Sequence, residues 1–180
     1  MTEREFVAQN RGPSVEMSAE SLRLLGDPLF RQEVLREIQR NPSLDASGLL
    51  RELLRMEVEY RRSDRNDGAF FENIYWCAFL LWRVGDLGDV MLLWRAKHTN
   101  FDTGCGLDIQ FLMGAGVDET ISYLQRQTDV DSRDALEYIL KCKAAGDFDN
   151  LEGWASWRAK YFDAPPREAP RRRRNRSAAE

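Results

Sequence analysis

The chain has 180 residues, of which 43% are apolar, 11% aromatic and 31% charged, enough for one compact domain with a core. Its longest uncharged apolar run, Ile74 to Trp82, is far short of the ~20 residues of a spanning helix, and no basic-then-apolar leader opens the chain, so a cytoplasmic protein is expected. Cys77, Cys105 and Cys142 are odd in number and widely spaced, which points to neither a disulfide framework nor a thiolate zinc site.

The formal charge of −4 conceals two opposite parts. From Ala164 to Glu180 six arginines, including the consecutive Arg171, Arg172, Arg173 and Arg174, stand against Glu168 and Glu180 alone. Residues 1–163 then carry 20 basic and 28 acidic side chains, a net of −8. The tail has three prolines and no large apolar residue, so it is expected to be disordered. Its arginines could displace counterions from nucleic acid, although no aromatic side chain interleaves them as a stacking platform.

Taken in order, the expected organisation is a partly ordered extension over 1–17, a single helical domain over 18–163, and the tail. A first helix runs from about Ser18 to Leu25 and stops at Gly26. Asp27 caps the second, with Pro28 in its first position, and Asn41-Pro42 ends it. The third spans about Asp45 to Arg62: Leu49, Leu50, Leu53, Leu54 and Val58 recur at helical spacing, with Arg51, Glu52, Arg55, Glu57 and Glu59 between them. A polar connection from Ser63 to Gly68 follows. The fourth helix, about Ala69 to Val84, is apolar around most of its circumference and should be central. No proline falls between Pro42 and Pro165, and Val, Ile and Thr supply only 13 of the 121 residues from Ser43 to Asp163, which favours helix over strand throughout.

Beyond this point glycines recur at Gly85, Gly116 and Gly146, spacings of 31 and 30. Each is flanked by an apolar segment before it and an acidic residue after it, the pattern of helix, turn, acidic N-cap and helix. An αα-hairpin of this kind cannot bury its stripe alone. The expected fold is therefore all-α, a short α-solenoid of stacked antiparallel helix hairpins with about nine helices. The segment from Ala78 to Lys97, with Ala78, Gly85-Asp86 and Trp94, resembles one tetratricopeptide-type hairpin. Val90 stands where that family usually carries alanine, and the repeat is shorter than the family's ~34 residues. The resemblance implies helical stacking and a protein-binding concavity.

The stretch His98 to Asp108 is less repetitive, holds the one histidine, and flanks Cys105 with Gly104 and Gly106. As a functional loop it offers His98, Asn100, Phe101, Asp102 and Asp108 as partner contacts, joined by Asp118 and Glu119. A catalytic alternative makes Cys105 a nucleophile activated by a helix N-terminus near Leu107, His98 its base and Asp102 the orienting carboxylate. A metal alternative would use His98, Asp102, Cys105 and Asp108, although zinc usually draws on more than one His. The structural alternative has Asp102 or Thr103 capping a helix and Phe101 plugging the stack.

Trp76, Trp82, Trp94, Trp154 and Trp157 fall at helical spacing and read as core, with one on the last helix free to face a partner. Cys77 and Cys142 read as buried hydrophobes. Asp118, Glu119, Asp129, Asp131, Asp134 and Glu137 gather near helix starts, where they complement the macrodipole. No phosphate-binding glycine loop, nucleophile elbow or dinucleotide fingerprint is present, and no cofactor is implied. The reading that follows is a non-catalytic, acidic helical-repeat protein that binds a basic protein, as an inhibitor or an immunity-type protein neutralising a toxin would. The alternatives are an adaptor contacting nucleic acid through Arg171–Arg174, and a Cys105-dependent hydrolase or transferase.

Overall fold

The computed structural model describes residues 1–63 and 68–163; the expected disordered tail and most of the polar connection after Arg62 lie outside them. The described residues are all-helical, with ten α-helices, two 3-10 turns and no strand. In chain order the helices are α1 (Glu3–Gln9), α2 (Ala19–Leu25), α3 (Pro28–Arg40), α4 (Ser47–Arg62), α5 (Glu72–Val84), α6 (Val90–Lys97), α7 (Phe101–Gly106), α8 (Val117–Gln125), α9 (Val130–Ala145) and α10 (Leu151–Asp163). The 3-10 turns are Leu87–Asp89, before α6, and Ile109–Met113, before α8. No helix is long and apolar enough to cross a membrane among the described residues.

Capping chemistry places the early boundaries. Ser18 accepts from the Ser21 amide at the start of α2, and Asp27 accepts from Leu29 with Pro28 at the first position of α3. Gly85 and Gly146 close α5 and α9 in the left-handed conformation, with φ of 70° and 85°. Acidic N-caps do not follow every glycine. Asp86 caps the 3-10 turn, Gly116 itself precedes α8 with no side-chain cap, and Asn150, not an acid, accepts from the Gly153 amide in α10. A helix also stands where none was expected: α1 opens with a Thr2–Glu5 capping box and sets Phe6 edge-on against Phe30 of α3, ring centres 5.3 Å apart.

The core centres on α5, which packs against α3, α4 and the Ile109–Met113 turn. On its remaining side α10 lays down a row of aromatic rings, with Trp154 against Trp82 and Phe162 stacked on Trp76 and Phe79. The α8–α9 pair forms a packed hairpin, and α9 also meets α6, which in turn rests on α4. Trp76 and Trp94 are buried and Trp82 and Trp154 half-buried, whereas Trp157 on α10 is 55% exposed and so is not core. Cys77 and Cys142 are buried as expected, and burial pushes both thiols up.

Two charged residues of α4 make long-range pairs. Glu57 is fully buried, with its Oε1 2.6 Å from Nε of Arg31, itself 2% exposed. Arg51 reaches the 3-10 turn before α6, donating to Asp89 at 2.6 and 3.0 Å and to Asp86 at 2.6 Å, while its Nη1 donates to the Pro13 carbonyl. One guanidinium thus ties the N-terminal segment, α4 and the turn after α5 together, and the Asp89 bond raises its pKa further.

The close approach of α5 to the segment before α8 depends on glycine. A side chain on Gly114 would meet the Trp82 carbonyl, and a Cβ on Gly85 would lie 3.0 Å from the Gly114 oxygen. Gly85→Ala combines that crowding with a left-handed backbone. It is expected to cost about 1–2 kcal/mol, read as a lower denaturant midpoint at unchanged slope.

Candidate functional site

The stretch from His98 to Asp108 is not a continuous loop, because its middle, Phe101–Gly106, is α7. Asn100 caps α7 by accepting from the Thr103 amide at 2.9 Å, so the cap is neither Asp102 nor Thr103. Phe101 does not plug the stack: it is 84% exposed. Gly106 makes room for Tyr75, whose hydroxyl donates to the Asp102 carbonyl at 3.3 Å and would collide with a side chain there. Lys97 lies under the end of α7 and donates to the Gly104 and Leu107 carbonyls at 2.6 and 2.8 Å, filling the role of a helix C-cap cation. Burial holds its pKa below the usual lysine range, with Asp108 opposing the shift.

The candidate residues of this stretch separate. Cys105 is exposed in the last turn of α7, and the element that follows Leu107 is the short 3-10 turn Ile109–Met113, not the α-helix whose N-terminus was expected to activate the thiol. His98 turns the other way: its Nδ1 is 2.9 Å from the Trp94 carbonyl, and its ring lies 4.0 Å from the Trp94 ring. No hydrogen bond among the described residues joins His98, Asp102 and Cys105. Nor do the described residues hold a group of three or more His, Cys, Asp or Glu side chains placed to bind a metal. Asp108 is an anchor for α10: its Oδ2 accepts from Trp154 Nε1 at 2.8 Å and from Arg158 Nε at 3.1 Å and Nη2. Arg158 in turn lies over the rings of Phe111 and Trp157.

What His98 joins is a groove of about 520 Å³ between α6 and α9. Trp94, His98 and Tyr138 form its aromatic side, with Trp94 and Tyr138 5.7 Å apart and tilted by 54°. Asp131, Asp134 and Glu137 line it from α9, three residues apart and hence on one helix face. Only Asp131 lies in the first turn of α9, which Asp129 caps through Ser132; those hydrogen bonds lower the Asp129 pKa. Asp134 and Glu137 lie too far along the helix to serve its macrodipole. At the first turn of α8, by contrast, Asp118 and Glu119 do complement it, and Asp118 also receives Lys143 of α9 at 2.7 Å.

The sequence carried a signal for this groove in the spacing of Asp131, Asp134, Glu137 and Tyr138 opposite apolar Ala135, Ile139 and Cys142. It carried none for the partner helix, because α6 lies far away along the chain. Residues 117–152 hold nine acidic and four basic side chains, so this region supplies more than half of the net −8. Comparison of the chain with protein-family models, with curated proteins and with solved structures gives no match.

Proposed function

We propose that the chain is a non-catalytic helical module that binds a basic protein, in the manner of an inhibitor or immunity-type protein that covers a basic toxin. The carrying observation is the acidic excess of residues 117–152, three of whose carboxylates line one face of the aromatic groove between α6 and α9. Concentrated charge of one sign steers an oppositely charged partner and disfavours contact with nucleic acid by the folded part. Stacked helix hairpins of the tetratricopeptide type would present such a face as one continuous surface. The dispersal of His98, Cys105 and Asp102 favours binding over Cys105 chemistry.

The test uses immobilised full chain, with the retained proteins identified and the association of the leading one timed at rising salt. Association should slow steeply as the Debye length shrinks to ~8 Å, while dissociation changes less. Replacing Arg171–Arg174 by serine makes the chain more acidic and should leave association unchanged or faster. If the tail were the working part, on phosphates, the same change would weaken binding and flatten its salt dependence. A salt-insensitive association would overturn the proposal.

A further inference from the structure

The groove between α6 and α9 has features that general acidity does not require. Two aromatic rings, Trp94 and Tyr138, meet at 54°; Trp94 is buried, whereas Tyr138 is 42% exposed and is the ring a ligand can reach. Beside it the three carboxylates differ in their partners. Asp131 has Arg95 at 3.5 Å and Glu137 has Lys141 at 2.6 Å, both pairs exposed to solvent and therefore weak. Asp134, between them and exposed, makes no hydrogen bond or ion pair among the described residues. The groove therefore offers one uncompensated carboxylate next to an aromatic wall, with two more carboxylates held only by exchangeable surface cations.

A planar cation fits that arrangement better than a spherical one. A guanidinium stacks on a ring face while presenting two parallel N–H groups to a carboxylate, whereas an ammonium does one or the other. We infer that this groove is the receptor for an arginine side chain of the basic protein partner, stacked on Tyr138 beside the buried Trp94 and hydrogen-bonded to Asp134. The inference rests on the proposed function above and assigns its central contact to residues outside the α7 region.

The full chain, isotope-labelled for nuclear magnetic resonance, is titrated with the peptides Gly-Arg-Gly, Gly-Lys-Gly and Gly-citrulline-Gly. The arginine peptide should shift the Trp94 indole and Asp134 amide signals saturably, the lysine peptide several-fold more weakly, and the neutral citrulline peptide not at all. Asp134→Ala and Tyr138→Ala, both at exposed positions, should each weaken arginine binding about tenfold, with the remaining spectrum unchanged as the check on folding. They should also speed dissociation of the captured basic protein. Equal response to citrulline, no saturation, or unchanged dissociation in both variants would overturn the groove assignment. So would movement of the same signals when Arg171–Arg174 are replaced by serine in the free chain, since the groove would then hold the chain's own tail. Failure of the acidic-face reading shows elsewhere, as salt-insensitive association.

Discussion

Glu57→Ala is expected to be the most damaging single change, costing about 3–5 kcal/mol of folding stability. Arg31 is 2% exposed, and its Nε–Glu57 contact at 2.6 Å provides the opposite charge. Its Nη1 donates to the Leu25 carbonyl at 2.7 Å, and its guanidinium lies 5.3 Å from the Tyr60 ring centre. Removing Glu57 leaves a cation buried without a counter-charge, and Asn73 Nδ2 loses its 3.1 Å bond to the same oxygen. For a domain of this size the melting temperature should fall by about 10 °C. The pair is not an optimal arrangement, however, since Arg31 Nη2 and Glu57 Oε2 are buried with no hydrogen-bond partner. Replacing both residues together, as Arg31→Met with Glu57→Leu, should therefore bring stability back to within about 1 kcal/mol of the parent or above it. Urea denaturation of the two singles and the double measures this directly. A Glu57→Ala loss below about 1 kcal/mol would mean that the cluster is hydrated like a surface pair.

Asp108→Ala should cost about 2–3 kcal/mol, because a charge-assisted anchor is removed while its donors remain in place. Trp154 Nε1 and the Arg158 guanidinium converge on its Oδ2, and Arg158 is itself buried. These bonds hold α10 to the segment before α8, so the loss should be local before it is global. Amide hydrogen exchange over residues 151–163 should accelerate more than that over α3, α4 and α5. Asp108→Asn keeps one acceptor oxygen and should recover part of the stability. Uniform acceleration across the chain would show instead that α10 unfolds only with the whole domain. The same variant separates two roles for Asp108, because a partner contact would lose affinity without any change in exchange.

The residues of short-range effect made the helices legible. Ser18, Asp27-Pro28 and the left-handed Gly85 and Gly146 act on the backbone within one turn, so they mark boundaries wherever the helices end up packing. The apolar run in α5 announced its central position, and Cys77 its burial, because both follow from hydrophobic area. Polar residues were less legible, since a charged side chain reads as solvated until a partner is brought to it. Glu57 and Arg31 are 26 residues apart, and Asp108 and Arg158 are 50 apart; only packing of α3 on α4 and of α10 on the domain makes them pairs. The stretch after His98 misled for a related reason. Gly104 and Gly106 weaken helix propensity, yet Lys97 beneath the α7 carbonyls and Tyr75 against Gly106 hold it helical. By itself the sequence determined an all-helical, acidic body, the approximate bounds of α2, α3 and α4, and the glycines that close α5 and α9. The tertiary structure decided which charges are buried, that His98 faces α9 instead of Cys105, and that Trp94 and Tyr138 share a groove. Those juxtapositions arise from contacts between helices distant in the chain, which no local spacing encodes.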